Sequence, residues 1–215
     1  MSKIPGQGRV SKAAVVVFEP NDPTPKVIAF QFNPETLSRD VKASATETSA
    51  RSDAFRLTGA PVETIKMDAI FDAGADGASS GVAGAGLGVY PQLAAFEMLI
   101  TPPSARVIAN TLALAAGTIE ILPAKAPFTI LVWGNRVLPV RVSGFAITEE
   151  AFDSRLNPVR AKIGLEFKVL TYSDLERSHP GYAMYLSHQI VKETLGRMAQ
   201  GFSKATILTQ KISSN

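Results

Sequence analysis

Residues 158–169, PVRAKIGLEFKV, constrain the fold of this chain more than any other stretch. Val159, Ala161, Ile163, Leu165, Phe167 and Val169 share one parity, while Arg160, Lys162, Glu166 and Lys168 share the other. A period of two marks a strand with one face in a core and the other toward water. The segment before it sets its neighbours. Phe128 to Trp133 is apolar, Gly134-Asn135 is a two-residue turn signal with Gly first, and a return strand is expected from Arg136 to about Ile147. A charged turn carrying Glu149, Glu150, Asp153 and Asn157-Pro158 then leads into the long strand, which gives an antiparallel meander of three.

The rest of the chain reads as further strands, two loops and helices. Ala13 to Glu19 and Lys26 to Phe32 are short apolar runs separated by a proline-rich turn; Leu37 to Ala43 and the alternating Glu63 to Phe71 continue the β pattern. In Glu63 to Phe71, the inward parity is Ile65, Met67, Ala69 and Phe71. Residues 44–60 and 72–88 are rich in small and polar residues and are expected to be long surface loops. Tyr90 to Ile100, with Pro91 in its first turn, predicts a short amphipathic helix, and Ser104 to Ala115 predicts a second one capped by Ser104. Thr118 to Leu122 looks strand-like. Pro180 starts a last helix expected to run to Gly201, followed by a loose polar tail. Residues 13–172 are thus one β domain and residues 173–215 a helical extension, in a mainly β (α+β) fold.

Composition narrows the chemistry. With no cysteine there is no disulfide framework, cysteine zinc site or thiol nucleophile. His179 and His188 do not have HExxH spacing and read as capping or interface residues. Gly84 to Val89, GAGLGV, follows a strand and precedes a helix, yet it lacks the last glycine of a dinucleotide loop and reads as solvated loop. No GxSxG elbow occurs, and Glu149, Glu150 and Asp153 read as solvated turn charges. No enzyme, cofactor or metal is expected. The net charge of +3 is spread along the chain and nominates no nucleic acid. The N-terminus has no apolar signal region, and Val107 to Leu122, the most apolar window, is too short for a bilayer, so a cytoplasmic protein is expected.

Three phrases go further: VIAFQFNPETLSRDV (Val27 to Val41), PFTILVWGNRVLPVRV (Pro127 to Val142) and FDSRLNPVRAKIGLEFKVLTYSDL (Phe152 to Leu175). Together they resemble the N-terminal domain of tube or tube-adaptor proteins of contractile injection systems, the phage-tail-like particles of bacteria. The resemblance is carried by Phe30, Phe32, Asn33, Pro34, Trp133, Gly134, Phe152, Pro158, Arg160, Ala161 and Phe167. It implies an antiparallel β-barrel or sandwich of the phage tail-tube type with a flanking short helix and a C-terminal helix. It also implies a structural role: a homohexameric ring that joins a spike or hub protein to the inner tube and templates tube assembly. Baseplate wedge proteins or the sheath are its expected neighbours, with no direct membrane contact.

The lysin-motif (LysM) domain of the hub-adaptor relatives is not expected, because the 43 residues after Tyr172 are too few for it. Interface residues expected on this reading are Arg51, Arg56, Arg160, Lys162, Glu166, Lys168, Tyr182 and Tyr185, with Arg160, Lys162 and Lys168 facing the ring lumen or a seam between subunits. Two alternatives stand beside it. One is a ligand-binding or hydrolytic β-barrel built around the acidic turn. The other is a membrane-surface protein using Gly181 to Gln200, although that helix has no basic face.

Overall fold

In a computed structural model of the chain, residues 12–19, 24–45, 56–74, 86–117 and 126–213 are described, with side chains up to residue 201. Most of loops 44–60 and 72–88, Arg51 and the stretch Thr118 to Leu122 lie outside the described residues.

Seven strands make one sheet: β1 (Ala14–Phe18), β2 (Lys26–Ala29), β3 (Leu37–Lys42), β4 (Val62–Asp72), β5 (Phe128–Trp133), β6 (Arg136–Phe152) and β7 (Pro158–Val169). Their spatial order is β2-β1-β5-β6-β7-β4-β3, with every pairing antiparallel. The sheet is mainly β architecture as expected, and its two edges, β2 and β3, do not pair with each other. One side chain spans the gap at that end. The Gln31 amide donates to the Asp72 carbonyl at 2.7 Å and accepts from the Asp72 N–H at 2.6 Å, so it stands in for a strand where β4 runs past the end of β3.

Alternation sets the core. Ile65, Met67, Ala69 and Phe71 on β4 and Ala161, Ile163, Leu165, Phe167 and Val169 on β7 are all buried. Helices α1 (Tyr90–Glu97) and α3 (Pro180–Ser213) fill opposite ends of this interior. Phe96 of α1 stacks on Phe30 and meets Phe71 at a tilt, while Tyr185 of α3 meets Tyr172 edge to face and Lys192 reaches Glu63. Glu63 and Phe71 stand eight residues apart on β4, about 27 Å at the rise of an antiparallel strand. The resembling motif is mostly packing. Phe30, Ala161 and Phe167 are core residues, and the Asn33 side chain accepts from the Ala13 N–H at 2.9 Å.

Several boundaries differ from expectation. β6 runs to Phe152 and not to Ile147, because bulges near Val142/Gly144 and Glu149/Ala151 keep the ladder in register with β7. Glu149 and Glu150 are therefore strand residues, and the turn itself is Asp153 to Asn157. The Asp153 carboxylate accepts there from the Arg155 N–H and from both the N–H and the amide of Asn157. Helix α2 (Ser104–Ala115) begins at Ser104, with Pro103 in the capping position, so Ser104 is a first-turn residue and no side-chain cap forms. The polar tail expected after Gly201 is helical through Ser213.

Candidate assembly interface

The outward parity of β4 and β7 carries a ladder of ion pairs. Lys66 lies directly opposite Glu166 and bonds it at 3.0 Å. Lys162 reaches diagonally to Asp68 at 2.8 Å; Gly164, opposite Asp68, leaves that carboxylate room, since a Cβ there would stand 3.2 Å from its oxygen. Arg160 lies between Asp72 at 3.7 Å and Glu150 of β6 at 3.8 Å. Lys168, near the end of β7, bonds Asp174 beyond it at 3.0 Å, and the same carboxylate accepts from the Thr171 N–H and hydroxyl. Pairs this exposed add little stability in water. Their effect is to bring opposite charges together along one face, so β4 and β7 present a hydrated but locally neutral surface.

Two of these groups show the coupling in their acidity. The hydrogen bond and charge of Asp68 hold the Lys162 ammonium above its usual value. Burial pushes the Asp174 carboxyl up, but the Thr171 and Lys168 hydrogen bonds outweigh it and leave it below the usual carboxylate range.

Of the residues expected at an interface, Arg160, Lys162, Glu166 and Lys168 come together on this face, each already neutralised within the chain. Arg56 is exposed near the β3 side of the sheet, beside Leu57, which bridges to Ala45. Tyr182 is half-buried at the base of α3. Tyr185 is 2% exposed and belongs to the core of this chain, which takes it out of any outer surface. His179 takes the capping role: its Nδ1 accepts from the Gly181 N–H at 3.1 Å.

Sequence reading missed the carboxylate half of the ladder, Asp68, Asp72, Glu150 and Asp174, and also missed Glu63. The signal for the ladder was the polar parity of β4, but matching it to β7 needs the register. Glu63 is a buried carboxylate on the core parity of β4. The Arg39 guanidinium bonds it at 2.6 Å and the Lys192 ammonium lies at 3.5 Å, so one acid joins edge strand β3 to helix α3. Burial alone would push the Glu63 carboxyl up; the two cations prevail and hold it below its ordinary value.

Among the described residues neither edge of the sheet pairs with a further strand. β2 and β3 are exposed along most of their length, with Val27 and Val41 among the exposed apolar side chains. Among the described residues no three His, Asp or Glu side chains group as a metal site, and no helix is long and apolar enough to cross a membrane. No curated protein matches the chain. The family model described as contractile injection system tube protein matches residues 9–177.

Proposed function

We propose that this chain, which belongs to the contractile injection system tube protein family, forms a ring of six copies that seats the inner tube on the spike or hub and templates the tube's growth. The observation that carries this reading is the sheet itself: a seven-stranded sheet whose edges β2 and β3 both lack a further strand among the described residues. Two different edges, neither paired further among the described residues, suit head-to-tail association, which makes a ring when the rotation between copies closes. The ion-pair ladder supports it physically. In a ring every charge recurs in every subunit, so a face neutralised pair by pair lets copies and stacked rings approach without like-charge repulsion.

On this reading the chain does no chemistry; its partners are its own copies, the hub, the inner tube protein and the surrounding baseplate or sheath. Electron microscopy of purified chain or of intact particles should show sixfold rings. Val27→Asp and Val41→Lys, which put charges on the two edges, should leave the circular dichroism of the fold unchanged and abolish the rings. Rings that form normally with both substitutions would remove the edges from the interface.

A further inference from the structure

Helix α2 is amphipathic and has no buried residue. Its least exposed residues, Asn110 and Ala113, lie on one side, Val107, Ile108 and Leu112 are turned away from them, and Leu114 flanks Asn110. Distal α3 has the same feature: Ile190, Val191, Leu195 and Met198 share its outer side. All eight side chains are between 49% and 65% exposed. Each stripe also contains one threonine whose polarity is already satisfied. The Thr111 hydroxyl donates to the Val107 carbonyl at 2.9 Å, and the Thr194 hydroxyl donates to the Ile190 carbonyl at 3.0 Å. The hydroxyls thus bond inward to their own helices, and their methyl groups extend the stripes. Apolar stripes facing water are contact surfaces waiting for a partner.

We propose that the α2 stripe of one copy packs against the α3 stripe of the next copy, as a second contact of the ring read above. The stripes run over eight and nine residues, about 11 and 12 Å between their end residues at 1.5 Å per residue, with large aliphatic residues at the same i, i+1 and i+5 spacing. Two matched faces on one chain, without a partner among the described residues, meet between copies when the association is head-to-tail. Area decides how much this contact can do. Each stripe is on the order of a few hundred Å², below the roughly 800 Å² per partner of a standard stable interface. One such contact does not hold a dimer; it reinforces a ring held by the sheet edges. A lipid surface fits poorly, because Arg106 is the one charged residue in α2 and interfacial helices carry a basic polar face. The contact rests on the ring reading, but α3 lies beyond the 9–177 match.

The absence of cysteine makes a direct test possible. Full-length Ile108→Cys and Leu195→Cys chains, mixed and oxidised, should give a mixed disulfide at least about tenfold more abundant than either homodisulfide. The double variant should give a ladder of covalent oligomers that ends at the ring size. Rings visible by microscopy without a mixed disulfide would overturn this contact and leave the ring reading intact, whereas absence of both rings and crosslinks would sink the two together. Homodisulfides as abundant as the mixed species, a crosslink within single chains, or flotation with anionic vesicles that Leu112→Asp abolishes would each assign the stripes to a different partner.

Discussion

At the scale of single residues, Gly88 is the position with least tolerance. Its φ is +58°, and a Cβ there would stand 2.0 Å from the Pro158 carbonyl oxygen, where the chain entering α1 passes against the start of β7. The next residue, Val89, donates its N–H to that same oxygen at 2.8 Å. Gly88→Ala therefore combines an unfavourable backbone conformation with a clash that only backbone movement can relieve, and should cost about 2–4 kcal/mol, read as a drop in the denaturant midpoint. In the sequence this glycine belongs to GAGLGV and looks like one more loop residue. Its role came from contact with a strand 70 positions later, and spacing rules do not see such a contact.

Helix α3 is the element whose attachment can be tested by acid. Two groups at its base favour the folded state when the pH is high. Burial and the nearby Lys192 ammonium lower the affinity of His188 for a proton, so the folded helix holds it neutral. The unfolded chain takes up that proton first, and stability falls as the pH drops below about 6.5, the ordinary histidine value. Glu63, held below its ordinary value, contributes above about 4.3 and loses that contribution at lower pH. Thermal denaturation should show both steps, and His188→Gln should remove the first while leaving the second. Glu63→Gln leaves Arg39 and Lys192 without their shared anion. It should cost about 2–3 kcal/mol, less than a fully buried pair, because both cations are about a third exposed. An unchanged melting temperature in that variant would mean that Glu63 does not anchor the helix.

For the whole molecule, the ladder on β4 and β7 makes a prediction about assembly more than about stability. Lys162→Glu places like charges beside Asp68, and Asp68→Lys does the same beside Lys162. The single variants should fold, with normal circular dichroism, and yield fewer rings per milligram by electron microscopy; the double swap should restore the count. A double variant as defective as the singles would show that a partner reads these charges individually and that pairing is not what matters.

Much of this was legible without coordinates. Strand existence, the β5–β6 hairpin, the core parity of β7 and the helices beginning at Tyr90 and Ser104 follow from local rules, since periodicity and turn chemistry act over a few residues; α1 ends at Glu97 and not at Ile100. Three properties depended on the tertiary structure: which cation meets which carboxylate, that Glu63 is buried beneath α3, and that α2 turns its apolar side outward. Each depends on strand order and register between segments far apart in the chain. Alternation says that a side chain faces in or out, but the neighbour it finds there is set only when the sheet is assembled.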